Sequence, residues 1–374
     1  MISSFYSIAT LISGLTMPFI GKMIDGKGHR KAAVAISFLF CLACVWMSMI
    51  ASPWMIFLGF ILIRLFGQGS MSLIPSVLIP QWFISKRGKA LSLATLGGVL
   101  GFTILPPLNS FLIQSRGVSF AWLFWAAALL LIMMPVAYFL IRNRPEEMNL
   151  KPDGVKVDQR HADEPEQEEE RSWTLDEAKR TKPFWYMLFC MIVPSLVNTG
   201  ITFHMLSIVS EKGMDPTFGA YVLSITAMTQ IPLVFLAGAI LDKAKVHLVK
   251  GTNYLILGFA MVLLIVSQSA VGLIVYAVCH GLFIAFEGIS TNVFWSNYYG
   301  RTHLGKIRGI TMTIMVIGSA LGPLPFGAAY DVFHGYSQIL LILLILPVTA
   351  SLLSFLSFPP IFEESFDTWE KTND

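Results

Sequence analysis

The sequence predicts an all-α, polytopic membrane protein built from two helical bundles. Apolar residues make up 55% of the 374 positions and charged residues only 13%, with a mean hydropathy of +0.67. A soluble domain carries roughly 25% charged residues, so lipid is the expected solvent. About 20 apolar residues are needed to cross a bilayer as a helix. Eleven runs of this kind are present: 2–20, 32–52, 54–82, 89–114, 117–141, 184–210, 217–241, 250–267, 270–296, 309–332 and 337–360.

The Lys and Arg residues orient these eleven runs. When the runs cross the membrane in turn, all of the 26 basic residues fall on one side except Arg64, Arg116 and Lys212. Basic residues concentrate on the cytoplasmic side of a membrane. We therefore expect a multi-pass protein of the plasma membrane with a cytoplasmic C-terminus. The predicted units are an N-terminal bundle over 1–141, a cytoplasmic loop over 142–182, a C-terminal bundle over 183–361 and a cytoplasmic tail over 362–374.

A charged turn follows the first apolar run and has a weaker copy in the second half. The first copy spans 21–31 and the second spans 238–243, which begins 217 positions later (238 − 21). Orientation in the membrane explains the basic residues but not the repeated Gly-x-x-x-Asp. An Asp at a helix C-terminus opposes the helix dipole, so we expect each Asp to meet the N-terminus of another helix. The residues of this motif are Gly21, Asp25, Gly28, Arg30, Lys31, Gly238, Asp242 and Lys243.

The stretch 21–31 resembles the loop between the second and third helices of the major facilitator superfamily, which reads G-x-x-x-D-(R/K)-x-G-(R/H)-(R/K). It departs from that pattern at Gly26, where the family usually has a base. The resemblance covers nearly the whole chain and implies a two-bundle fold. It also implies that Asp25 faces the region of Arg308 and Gly309, and Asp242 the region of Lys89 and Ala90, which closes the cytoplasmic side. The matching positions are Gly21, Asp25, Gly28, His29 and Arg30.

In this family the charged turn follows the second of twelve helices, whereas here it follows the first apolar run. The resemblance thus implies eleven spans, with the first transmembrane helix of the family absent. The alternative is a genuine eleven-helix protein whose N-terminus lies outside the cell. Duplication of the bundles is also indicated by Gly97–Gly101 and Gly318–Gly322, each followed by prolines. The small residues in each copy allow close helix packing. In a duplicated fold of this kind, substrate is expected where the two bundles meet.

Polar residues inside the apolar runs are the candidate site. Arg64 must face the bundle or a wet cavity, either as an anion or proton site or as an Arg held by backbone carbonyls. Glu287 is a candidate proton carrier, or a Glu paired with a polar neighbour. His204 is either a titrating gate or an ordinary amphipathic His near the outer interface. The remaining candidates for binding or proton coupling are Gln68, Asn198, Thr202, Gln230 and Asn292.

The central polar segment begins with R-P-E-E-M-N-L-K-P-D-G over 144–154. This string and Phe203-His204-Met205 resemble the monocarboxylate-porter and oxalate/formate-antiporter branch of the superfamily. The resemblance implies a small organic anion as substrate. Later in the segment, Thr174 and Glu177 have the spacing of a capping box, which predicts a short helix before Pro183.

The sequence shows no P-loop, no H-E-x-x-H, no nucleophile elbow and no zinc-ligand spacing, so neither an ATP-driven pump nor an enzyme is expected. Cys41 and Cys44 form a C-x-x-C within an apolar run, where Cys packs as a small hydrophobe. We expect no cofactor, no metal and no nucleic-acid partner, and a monomer in the bilayer.

The leading hypothesis is a secondary active transporter, a symporter or antiporter, that moves a monocarboxylate-like anion by alternating access with proton coupling. The alternatives are efflux of amphipathic compounds and a truncated membrane protein that does not transport.

Overall fold

The computed structural model describes residues 2–154 and 172–360, and its regular elements over these residues are all helical. The predicted tail 362–374 lies outside them, as does most of the predicted central loop. The helices are α1 (Ile2–Lys27), α2 (His29–Ser48), α3 (Pro53–Ile63), α4 (Met71–Trp82), α5 (Arg87–Ala128), α6 (Met134–Phe139), α7 (Leu175–Ala178), α8 (Lys182–Glu211), α9 (Pro216–Leu241), α10 (Val246–Val266), α11 (Ala270–Tyr299), α12 (Leu304–Leu321), α13 (Pro323–Phe333), α14 (Ser337–Leu343) and α15 (Ile345–Phe355).

The described residues contain ten helical stretches that are long and apolar enough to cross a membrane, against eleven predicted spans. The predicted span 89–114, which is not one of these ten stretches, is helical and forms the first part of α5. Helix α5 breaks at Gly117, whose φ of 86° lies in the left-handed region that favours glycine. This break falls at the predicted boundary between the fourth and fifth spans. The all-α membrane fold is therefore confirmed.

The first charged turn is shorter than predicted. Helix α1 continues to Lys27 and α2 begins at His29, so the predicted loop 21–31 reduces to Gly28 alone. The prediction ended the helix where the apolar run ends, but a helix need not end where it leaves the lipid, and Lys22, Met23 and Lys27 are good helix formers. Gly28 has a φ of 83°, and a Cβ there would lie 2.8 Å from the side-chain oxygen of Asn143.

The predicted span 54–82 is one path of three helical segments. Helix α3 continues into a π-helical segment, Arg64–Ser70, and then into α4, which contains Pro75 and Pro80. Within the π segment, the Ser70 hydroxyl donates to the Leu65 carbonyl at 2.7 Å. A π-helical segment and prolines both interrupt the regular i→i−4 hydrogen bonds of a helix. π-Helical turns are frequent at functional sites.

The described ends of the central polar segment bind two short loops. The Asp153 carboxylate accepts hydrogen bonds from the backbone N–H of Ser85 at 3.0 Å and of Ile84 and Lys86 at 3.3 Å. On the other side of the segment, the Ser172 hydroxyl accepts from the backbone N–H of Arg301 at 3.1 Å.

The capping box predicted at Thr174 and Glu177 is confirmed. The Thr174 hydroxyl accepts from the Glu177 backbone, and the Glu177 carboxylate accepts from the Thr174 backbone at 2.7 Å. These two bonds begin α7, the short helix expected before Pro183.

Candidate transport site

Asp25 binds the N-terminus of α12. Its Oδ1 accepts from the backbone N–H of Gly305 and its Oδ2 from that of Lys306, each at 2.9 Å. These N–H groups have no partner inside their own helix, and the helix dipole favours a negative charge there. The contact lies about one turn before Arg308 and Gly309, the region implied by the family resemblance. Gly21 packs against Gly305 so closely that a Cβ on Gly21 would overlap the Gly305 carbonyl.

An equivalent contact joins α9 to α5. The Asp242 Oδ1 accepts from the backbone N–H of Gly88 at 2.6 Å, next to the implied Lys89 and Ala90. A Cβ on Gly88 would overlap the carbonyl of Gly238, as in the first contact. The two glycine pairs are related by one offset of 217 positions (238 − 21 and 305 − 88). The chain thus makes the same helix-end contact twice, each time between its first and second halves.

Between these contacts, the end of α4 is also joined to the loop that follows α11. The Gln81 side-chain amide donates to the Arg301 carbonyl at 2.6 Å, and the Arg301 guanidinium donates to the Gln81 carbonyl at 2.9 Å. Nearby, Arg87 donates to the side chain of Asn297 at 2.6 Å. The turns at Lys27 and Lys243 therefore lie on one side of the protein, here called the basic face, and the two halves are in contact across it.

A cavity of about 560 Å³ lies between the two halves. Its walls come from α1, from the path through α3 and α4, and from α8, α11 and α12. Four methionines line it: Met17, Met191, Met312 and Met315. Its charged and amide side chains are Arg64, Gln68, Asn198, Glu287, Asn292 and Arg308.

Five of the eight predicted site residues line this cavity, namely Arg64, Gln68, Asn198, Glu287 and Asn292. Gln68 and Glu287, one from each half of the chain, are both among them.

The other three predicted residues are not in the cavity lining. Thr202 is exposed, one turn beyond Asn198. The Gln230 side chain donates to the Thr226 carbonyl of its own helix at 3.3 Å. His204 packs between helices, with Nδ1 at 3.2 Å from the Tyr336 hydroxyl and Nε2 at 3.3 Å from the Pro323 carbonyl. A polar residue on a membrane helix can satisfy itself locally, so its presence alone did not locate the cavity.

Glu287 forms a buried ion pair with Lys250. The Lys250 ammonium donates to Glu287 Oε1 at 2.6 Å and to the Thr291 hydroxyl at 2.8 Å. The Lys250 side chain is 0% exposed. The sequence interpretation counted Lys250 with the basic residues of the cytoplasmic side, at the first position of the run 250–267. That placement is wrong, because α10 begins one turn earlier, at Val246, and Lys250 is buried inside the protein. The sequence held a partial signal for this cluster of polar residues. Lys250 and Tyr254 are spaced i, i+4, as are Glu287 and Thr291, so each pair shares one face of its helix.

Arg308 was also counted with the basic residues of the cytoplasmic side, next to the run 309–332, and the structure places it in the interior instead. Helix α12 begins at Leu304, so Arg308 follows the first turn, and it is only 2% exposed. Its Nη2 donates to the Asn292 side-chain oxygen at 2.7 Å. Here too the helix begins before its apolar run, which moves a charged residue from the expected loop into the wall of the cavity.

Asn198 is held by His280, a residue that the sequence interpretation did not select. His280 is 2% exposed, its Nε2 lies 3.0 Å from the Asn198 oxygen, and its Nδ1 lies 3.3 Å from the Tyr276 hydroxyl. With the proton on Nε2, His280 donates to Asn198 and accepts from Tyr276. The histidine thereby fixes the rotamer of an amide that lines the cavity.

Comparison with known proteins identifies the family. The model of the Major Facilitator Superfamily matches residues 1–323, and the chain therefore belongs to this superfamily of transporters. One curated relative, an "MFS-type transporter" of Gibberella moniliformis (strain M3125 / FGSC 7600), is 31% identical over 140 residues. That match covers 37% of this chain and spans 33% of the relative's length.

Solved structures share the fold. The Escherichia coli fucose:proton symporter FucP (N162A) superimposes with a TM-score of 0.74 at 13% identity, covering 96% of this chain and 91% of that one. The human organic anion transporter MFSD10 (TETRAN) gives a TM-score of 0.67 at 14% identity, covering 94% of this chain and 82% of that one.

Proposed function

We propose that this protein is a secondary active transporter of the plasma membrane that moves a small, monocarboxylate-like organic anion by alternating access with proton coupling. The cavity between the two halves is the observation that carries this proposal. Its volume of about 560 Å³ suits a small molecule. The two Asp contacts hold the halves together at the basic face, which we assign to the cytoplasm. Substrate would then enter this state from outside and leave after the contacts separate. We propose a monomer as the working unit.

The charges around the cavity favour an anion. Arg64 and Arg308 line it, whereas its acidic residue Glu287 is bound to Lys250. An excess of positive charge in a low-dielectric cleft attracts anions and raises their local concentration. The amides of Gln68 and Asn198 add hydrogen-bonding groups that orient a bound molecule. MFSD10, which shares this fold, is named an organic anion transporter, and that name is consistent with the assignment.

We assign the coupled proton to Glu287. Its Oε1 accepts from Lys250, whereas its Oε2 is buried and has no hydrogen-bond partner within the described residues. Protonation would weaken the bond to Lys250 and change the charge of the cavity wall by one unit. His204, the other predicted carrier, packs away from the cavity, so it has no part in this proposal.

Uptake into proteoliposomes tests this function. Radiolabelled lactate, formate and oxalate are offered with and without an inward proton gradient, and the wild type is expected to accumulate at least one of them faster with the gradient. A hydrogen bond to a charged group is worth about 1.5–3 kcal/mol. We therefore expect Arg64→Ala to lower uptake about tenfold or more. Glu287→Gln is expected to remove the response to the gradient.

Two exposed charges outside the cavity provide matched controls. Arg116→Ala and Glu146→Gln remove the same charges elsewhere and are expected to leave uptake unchanged. If Arg64→Ala and Glu287→Gln both behave like these controls, our assignment of the site is wrong.

Efflux of amphipathic compounds is the second candidate, and the four cavity methionines favour it. Methionine is flexible and polarisable, and it is common at surfaces that accept varied ligands. Efflux of ethidium from loaded proteoliposomes, together with no uptake of the three carboxylates, would support this function over the first.

A further inference from the structure

Arg308 is a buried cation with spare hydrogen-bonding capacity. Its guanidinium has five N–H donors, and Asn292 accepts from Nη2. Its Nε and Nη1 are both buried and have no hydrogen-bond partner among residues 2–154 and 172–360. Three N–H bonds of a charged group are thus unsatisfied in a side chain that is 2% exposed and lines the cavity.

The neighbouring carboxylate is already neutralised. Glu287 binds Lys250 at 2.6 Å, and Thr291 donates to the same carboxylate oxygen at 3.0 Å. This group of side chains holds two cations, Lys250 and Arg308, and one anion. The positive charge of Arg308 therefore has no carboxylate counterpart within it. Burying such a charge is costly unless an anion pairs with it.

We propose that Arg308 binds the carboxylate of the transported molecule at the end of the cavity nearest the basic face. This inference rests on the proposed function and adds to it a contact that neither the motifs nor the comparisons assign. A guanidinium donates charge-assisted hydrogen bonds that match a carboxylate in geometry and charge. Asn292 is the positioning residue, because its hydrogen bond orients the guanidinium and leaves Nε and Nη1 for the ligand.

The position of Arg308 connects this site to the basic face. It lies on the turn of α12 that follows Gly305 and Lys306, whose N–H groups are held by Asp25. A carboxylate on Arg308 would act on the same helix end that the contact with the first half controls. Binding at Arg308 and separation of the basic face therefore share one structural element.

Equilibrium binding to the full chain in lipid nanodiscs tests the inference. Radiolabelled lactate, formate and oxalate are the probes, and neutral lactamide is the competitor that lacks the charge. We expect the wild type to bind at least one carboxylate without competition from lactamide. Arg308→Gln should weaken this binding about tenfold or more, the loss expected for one charge-assisted hydrogen bond. Arg308→Lys, which keeps the charge, should retain part of it, and Arg116→Gln should match the wild type.

The outcomes separate the two proposals. If the wild type binds none of the three carboxylates, the proposed function fails and this inference fails with it. If the wild type binds and Arg308→Gln binds equally well per folded molecule, the inference alone is overturned. Size-exclusion chromatography of each variant gives the folded fraction, so that loss of binding is not confused with loss of protein.

Discussion

Replacing Lys250 with Met is expected to destabilise the protein by about 3–5 kcal/mol, the usual cost of breaking a buried ion pair. The substitution leaves Glu287 charged and buried with its main partner removed, while Met fills a similar volume. Unfolding of the purified protein in detergent, followed by tryptophan fluorescence against denaturant, measures the change in the free energy of unfolding.

A double variant separates the charge from the packing. Lys250→Met combined with Glu287→Met removes both charges, and it is expected to recover most of the lost stability because no unpaired charge remains. Lys245→Met is the matched control, since Lys245 is exposed and lies five positions before Lys250, directly before the start of α10. Equal loss in the single and double variants would contradict the account, because the cost would then arise from shape and not from charge.

Adding one methyl group at Gly21 is expected to prevent the basic face from closing. The new Cβ of Gly21→Ala would overlap the Gly305 carbonyl, which is backbone and cannot rotate away. The helices would have to separate, and the hydrogen bonds of Asp25 to α12 would be lost with the contact. We expect uptake in proteoliposomes to fall about tenfold or more, consistent with loss of a charge-assisted contact.

Gly26 provides the matched control for this prediction. It lies in the same helix, and a Cβ there would meet nothing within 4 Å. Because both changes replace glycine with alanine inside α1, their effects on helix propensity are similar. Gly26→Ala is expected to transport normally. Equal activity of the two variants would show that the close approach at Gly21 does not matter for transport.

Much of the fold could be predicted from the sequence because lipid imposes simple rules. Each span needs an apolar run, and basic residues mark one side. These rules place the boundary at Gly117 correctly and put both charged turns on one side of the protein, although the first turn is shorter than predicted. They fail at helix starts: α10 and α12 begin before their apolar runs, so Lys250 and Arg308 were counted with the basic residues outside the bundles although both are buried. A run of apolar residues reports contact with lipid, not the length of the helix.

The candidate site was predictable only in part. Arg64 and Glu287 were selected because a charge in a span must face the protein interior or a wet cavity, and both line the cavity. Uncharged polar residues carry no such requirement. Asn198 lines the cavity and Thr202 does not, although the two residues are four positions apart on one helix. The ion pair between Lys250 and Glu287 and the support of Asn198 by His280 depend on which faces of two helices meet, and spacing within one helix does not show that.

The central claim is that the two halves separate at the basic face during transport. Ser85 and Thr302 are exposed on the loops that follow α4 and α11, next to the contact between Gln81 and Arg301. Spin labels at these two positions report the separation by pulsed electron paramagnetic resonance. With lactate, formate or oxalate bound, or on acidification, we predict a second, longer distance beside the short one of the closed state. A single short distance under every condition, in protein that transports one of these carboxylates, would contradict the account.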